Sequence, residues 1–155
     1  MTRPRVLVLA IGNPSRGDDA LGPLLVERVG AALAEQHTRA DVELLTEFQL
    51  QIEHTLDLQD RAQVVFVDAS VRAASPFEYT RITPGGQVAH STHAMSPEAL
   101  LGTYRDVLGE PPPSFVLAIH GERFELGEPL SDAARTNLDA AVLYLSNQLS
   151  SAPHA

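Results

Sequence analysis

Along the chain, short apolar runs alternate with segments whose apolar residues recur every three or four positions. The runs "RVLVLAI" (5–11), "QVVFVDA" (63–69) and "SFVLAIH" (114–120) are continuous rather than alternating. Such runs fit strands covered on both faces, as in parallel sheets. "DVELLTE" (41–47) reads as a fourth, weaker strand. "FEYTRIT" (77–83) alternates and reads as an edge strand, a candidate for antiparallel pairing.

Between these runs lie helical patterns. "LLVERVGAALAEQ" (24–36) has apolar residues at helical spacing. Pro23 is tolerated only in a first turn, which places the start of this helix near Asp18–Pro23. "IEHTLDLQD" (52–60) predicts a shorter helix. "SPEALLGTYRDVLG" (96–109) opens with Ser96 as N-cap and Pro97 at the first helical position, and Gly109 stops it. "SDAARTNLDAAVLYLSNQL" (131–149) begins at Ser131 or Asp132 and carries a long apolar stripe. Strand and helix in alternation predict an α/β fold: three layers, with a doubly wound, mostly parallel sheet of about five strands and helices on both faces. Residues 1–149 read as one domain and "SSAPHA" (150–155) as a flexible tail. "EPPP" (110–113) is a stiff surface loop.

Composition narrows the chemistry. The chain has 155 residues, enough for a buried core. It carries 11 Lys plus Arg against 20 Asp plus Glu, a formal charge of -9, which disfavours nucleic-acid backbones and anionic lipid as partners. There is no cysteine, so thiolate catalysis and thiolate metal sites within this chain are excluded. The first apolar run is too short for a signal sequence or a membrane span, and the expected compartment is the cytoplasm.

In a doubly wound sheet, ligands bind at the carboxyl ends of the strands, near the switch in strand order. Four segments place chemistry there. The loop after the first strand holds Gly12, Asn13, Asp18 and Asp19. The strand 63–69 holds Asp68 at its end. The loop before the 96–109 helix holds His90, Thr92 and His93, and the last strand ends in His120. The adjacent pair Asp18–Asp19 is notable because capping one helix needs a single carboxylate, and a second adds repulsion. The pair reads either as plain helix capping, which explains Asp18 well and Asp19 poorly, or as Asp18 capping and Asp19 facing a cation. Asp68, behind "VVFV", is costly unless solvated, paired or bound to metal, and capping of a neighbouring loop is the plainer alternative. A loop histidine such as His93 is ordinarily just exposed, but one beside a helix mouth favours the neutral, metal-binding imidazole. Two carboxylates and an imidazole suit a borderline divalent metal such as nickel or zinc, without a thiolate anchor. HExxH, CxxC, a Gly-x-Ser-x-Gly elbow and a dinucleotide fingerprint are all absent. The segment Gln49–Ile52, with Gln51, reads either as a substrate-facing loop or as a plain helix entry. His54 and His120 are further candidates for the site.

Four blocks carry a family resemblance. "GNPSRGDDALGP" resembles the signature G-N-x-x-x-x-D-(D/E)-x-x-G of the hydrogenase maturation proteases. "VVFVDAS", "STHAMSPEALL" and "GERFELGEPLSDAA" (121–134) resemble that family's aspartate-ending strand, its histidine turn and its segment before the last helix. They occur in the right order and span nearly the whole chain. Ala20 stands where glycine is common, and His120 where many members carry other residues. "FQLQIEH" looks like the version serving NAD-reducing or bidirectional hydrogenases.

The resemblance implies an endopeptidase that removes a C-terminal extension from the nickel-loaded large-subunit precursor of a nickel–iron hydrogenase. It implies that the nickel, supplied by the substrate, is sensed by Asp19, Asp68 and His93, with no tightly bound cofactor. Asp19 or Asp18 is then the candidate general base, an aspartic-type chemistry, and Gly12, Asn13 and Gln51 are candidate substrate contacts. Two rivals stand beside it. "AIGNP" (10–14) is similar to the opening of peptidyl-tRNA hydrolases, although their Arg-His-Asn element is missing and a -9 chain is a poor tRNA binder. The other rival is a non-catalytic module that binds nickel or the precursor during maturation.

Overall fold

A computed structural model describes residues 2–36, 41–85 and 95–151. Five strands form one sheet: β1 (Val6–Ile11), β2 (Val42–Glu47), β3 (Gln63–Ser70), β4 (Phe77–Ile82) and β5 (Ser114–His120). Their order is β2-β1-β3-β5-β4. Four strands run parallel, and β4 pairs antiparallel with β5 at the edge. This is the α/β sheet that the apolar runs predict, including the alternating edge strand.

Both faces are covered. On one face Val8, Ala10, Val65, Val67, Leu117 and Ile119 pack against helix α1 (Leu21–Glu35) and helix α3 (Asp132–Ser151), which present Leu25, Val29, Leu138 and Leu145 among others. On the other face Leu7, Leu9, Val64 and Phe66 meet Leu50, Leu58, and Leu100, Leu101 and Tyr104 of helix α2 (Pro97–Leu108). That is why the central strands read as unbroken apolar runs: successive side chains enter different cores, and both cores are apolar. Each fully buried Val, Leu or Phe contributes about 1.5–3 kcal/mol relative to exposure.

The helix starts follow from local chemistry. Pro23 is the third residue of α1, inside the first turn where its missing N–H has no intrahelical partner. Ser96 caps α2 by accepting the Ala99 N–H at 3.1 Å, and Pro97 follows it. Ser131 caps α3 by accepting the Ala134 N–H at 3.2 Å, which decides between Ser131 and Asp132.

Three boundaries differ from expectation. The predicted helix 52–60 is a 3-10 helix, Ile52–Leu58. Its bonds close at three-residue spacing: the His54 N–H donates to the Gln51 carbonyl at 2.9 Å, and the Thr55 hydroxyl to the Ile52 carbonyl at 2.8 Å. A 3-10 turn, Gly17–Ala20, precedes α1. Helix α3 continues to Ser151, past the boundary expected at 149; residues 152–155 lie outside the described ones.

The topology fixes where a site belongs. From β1 the chain moves outward to β2, then returns to β3 on the other side of β1. The strand order therefore reverses between β1 and β3. The crevice outside their carboxyl ends is the place where this kind of sheet binds ligands.

Candidate active site

The loop Gly12–Ala20 crosses that crevice. Gly12 receives the loop's first turn with φ +154°, and its N–H donates to the Glu47 carbonyl at 3.0 Å. A Cβ here would lie 2.0 Å from the Asp19 carbonyl oxygen, so only glycine lets the 3-10 turn fold back onto the end of β1. The Asn13 N–H donates to Asp19 Oδ2 at 2.7 Å, while Asn13 Oδ1 accepts the Ser15 N–H at 2.9 Å. Asp19 is thus pinned by one oxygen over the end of β1, and the side chain remains partly exposed.

Asp68 arrives from β3. Its neighbour Val67 is in register with Ala10 of β1, so Asp68 stands beside the last residue of that strand. Desolvation and, to a smaller degree, the negative charge of Asp19 raise its pKa to about 7, against one hydrogen bond from the Ala69 N–H at 2.9 Å. Asp19 and Asp68, 49 positions apart in sequence, therefore feel each other across the crevice. A carboxylate that is desolvated, poorly supplied with donors and close to a second carboxylate is a group that a cation would relieve.

Asp18 is different. It is fully buried, and four donors converge on its carboxylate. Oδ2 accepts the Glu122 N–H at 2.7 Å, the Arg123 N–H at 3.1 Å and the Ser131 hydroxyl at 2.7 Å; Oδ1 accepts the Ser131 N–H at 2.8 Å. Burial alone would raise its pKa, but the bonds from the Glu122 and Ser131 amides, the Ser131 hydroxyl and the Arg123 amide outweigh it and lower it. The expectation that Asp18 caps the first helix is corrected: its side chain caps neither the 3-10 turn nor α1. It braces the segment 121–131 instead. Gly121 makes room for this, since a Cβ there would lie 2.9 Å from the Asp18 Cβ. With its lone pairs occupied and its charge stabilised, Asp18 is poorly suited to take a proton from water.

The remaining expected residues separate. Gln51 is the N-cap of the 3-10 helix. Its carbonyl accepts the His54 N–H at 2.9 Å, and its own N–H donates to His54 Nδ1 at 2.8 Å. His54 is buried with Nε2 3.6 Å from Glu47 Oε1. His120 closes β5, with Nδ1 2.8 Å from the Ala73 carbonyl and Nε2 3.9 Å from Glu122 Oε1. His90, Thr92 and His93 lie outside the described residues. Among the described residues no group of three His, Asp or Glu is placed to hold a metal ion.

One feature was absent from the sequence reading. A cleft of about 410 Å³ opens beside Gly12, lined by Pro14, Pro23, Thr46, Glu47 and Phe48. It lies between the ends of β1 and β2, and its Gly12 wall abuts Asp19. The signal available in sequence was Phe48, a large apolar residue directly after a strand.

No family model matches the chain, and neither does any curated protein. Solved structures do. The NiFe hydrogenase maturation protease HycI from Thermococcus kodakarensis KOD1 superposes with a TM-score of 0.71 at 22% identity, over 95% of this chain and 93% of that one. The hydrogenase maturating endopeptidase HybD from E. coli gives 0.69 at 24% identity, over 91% and 89%. The hydrogenase 2 maturation peptidase from Thaumarchaeota archaeon SCGC_AB-539-E09 gives 0.63 at 24%, over 94% and 97%. The chain has the fold of the hydrogenase maturation proteases. The likeness runs nearly end to end in both chains. Among the described residues no helix is long and apolar enough to cross a membrane.

Proposed function

We propose that this chain is an endopeptidase that trims the C-terminal extension from the large-subunit precursor of a nickel–iron hydrogenase once nickel has been inserted. The fold likeness and the four ordered sequence blocks support the class of reaction. The single observation that carries the site is the meeting of Asp19 and Asp68 at the carboxyl ends of β1 and β3, where the charge of Asp19 reaches Asp68.

In this reading the nickel is part of the substrate. The precursor's thiolates hold it tightly, and the enzyme adds only Asp19, Asp68 and His93 as weak oxygen and nitrogen donors. Contact is productive only when the client brings the ion, which makes specificity a differential contact rather than raw affinity. Asp19 is the general base: it takes a proton from the attacking water and returns it to the departing amine as the peptide bond breaks. Asp18 acts at one remove, holding the loop that carries Asp19 against the 121–131 segment. Gly12 and Asn13 border the approach to the scissile bond. Gln51, exposed at the entry of the 3-10 helix, is a further contact for the client. The reaction takes place in the cytoplasm, where the precursor is made.

The test is a mass measurement. Nickel-loaded and nickel-free precursor are incubated with wild type and with Asp19→Ala, Asp68→Ala and His93→Ala. The expected result is shortening of the loaded precursor by wild type alone, with losses of at least about 100-fold in the variants. Equal cutting of the nickel-free precursor overturns metal sensing, and full processing by one variant removes that residue from the mechanism. Purified protein should carry almost no nickel; a stoichiometric, tightly held ion counts against delivery by the substrate. Binding of the precursor without shortening makes the chain a docking module instead.

A further inference from the structure

Three large apolar side chains are left in solvent along one segment: Phe48 is 69%, Ile52 55% and Leu56 56% exposed. They follow one another between the end of β2 and the end of the 3-10 helix, interleaved with exposed Gln49, Gln51 and Glu53 and with buried residues that anchor the segment. Leu50 is 2% exposed, and His54, Thr55 and Leu58 are buried. The segment is pinned on its inner side by the Gln51–His54 cap and by the second core cluster. Its outer side is a ridge with a fixed geometry. At one end Phe48 also lines the cleft beside Gly12 and Asp19. At the other, Arg3 donates to the Leu56 and Gln59 carbonyls, so its charge is already engaged.

We infer that this ridge, Phe48–Ile52–Leu56, docks an extended apolar segment of the protein substrate and feeds it into the cleft toward Asp19. The inference rests on the protease reading and adds to it the surface that selects the client. Three observations fix the occupant. The ridge is continuous with the cleft through Phe48, so a chain lying on it reaches the cleft beside the Asp19 loop. Beyond β1, β2 has no further strand partner among the described residues, so its outer edge offers main-chain groups to an extended peptide. The ridge is accompanied by carboxylates: Glu47, whose side chain is half-exposed, and Glu53, on the exposed side of the 3-10 helix. A second copy of this chain would bring those carboxylates against their own kind, on a protein already at -9. A client segment with apolar residues flanked by Lys or Arg meets both requirements.

The experiment uses the full chain and the nickel-loaded precursor. Phe48→Ser, Ile52→Ser and Leu56→Ser, singly and combined, are chosen because exposed positions tolerate serine; unchanged urea midpoints verify this. The triple variant is expected to raise KM by about tenfold or more, with the loss in KM rather than kcat, and Phe48→Ser is the largest single effect. Val107→Ser and Leu143→Ser, exposed apolar residues elsewhere, are expected to leave KM unchanged. Binding of the precursor to Asp19→Asn protein, measured by calorimetry, is weakened by the same ridge substitutions. Unaltered KM in the triple variant overturns the ridge while leaving the protease reading intact. So does an equal effect from the controls, or a wild-type dimer that the triple substitution dissolves. A wild type that never shortens the precursor overturns the protease reading, and the calorimetric comparison then still decides the ridge.

Discussion

Asp18 and Asp68 are carboxylates at the same edge of the sheet, and their surroundings push them in opposite directions. Asp18 is wholly buried, yet its pKa is lowered, because four donors converge on it from the 121–131 segment. Asp68 is half-buried with one neighbouring amide for support and a second carboxylate nearby, and its pKa rises to about 7. Burial alone does not decide the state of an acid; the balance of donors and charges does. The pair also divides labour. Asp18 spends its hydrogen-bonding capacity on holding two distant segments together. Asp68 keeps an unmet electrostatic demand, and unmet demand is what a binding site has to offer.

The contrast can be broken most forcefully at Asp18. Asp18→Ala leaves the Glu122, Arg123 and Ser131 amides without an acceptor in the interior. It should destabilise the protein by ~3–5 kcal/mol, read from the urea midpoint. A change within experimental error would show that water replaces the carboxylate and that the brace is dispensable.

The second way is pH. Asp68 has a folded pKa above its unfolded value, so the folded state holds its proton longer, and this group's contribution to stability falls as pH rises from about 4 to about 7. Asp18 has a folded pKa below its unfolded value. Its contribution is present above about 4 and is lost as pH falls further. Denaturation followed across this range should show both limbs. Asp68→Asn should remove the fall between about 4 and 7 and leave the acid limb in place. If Asp68→Asn follows the wild-type curve throughout, Asp68 is solvated and the contrast disappears.

The smallest effect sharpens the brace. Ser131→Ala removes one of the four donors to Asp18 and, with it, the side-chain cap of α3. A loss of ~1–2 kcal/mol is expected by the same denaturation assay, together with an acid limb displaced to higher pH. A loss as large as that of Asp18→Ala would mean that the serine, not the aspartate, organises the junction.

Much of this was legible in the residues. Continuous apolar runs gave the covered sheet, Ser96 and Pro97 the start of α2, and the strand-end rule pointed to Asp19 and Asp68 at one rim. Other features were out of reach. Asp18 was read as a helix cap because the local pattern permits it; its real partners lie 104–113 positions away. Gln51 reads either as a substrate contact or as a helix entry; the structure places it at the entry of a 3-10 helix, with its side chain exposed. The cleft at Phe48 has no motif, since it is made by the ends of two strands that happen to be neighbours.

The sequence by itself determined the class of fold, the strand ends and the identities of the acids, because those depend on periodicity and on turn chemistry within a few residues. Only the tertiary structure decided which acid is satisfied and which is left wanting. That difference is set by amides and charges delivered from far along the chain, and a local pattern carries no record of where those groups come to rest.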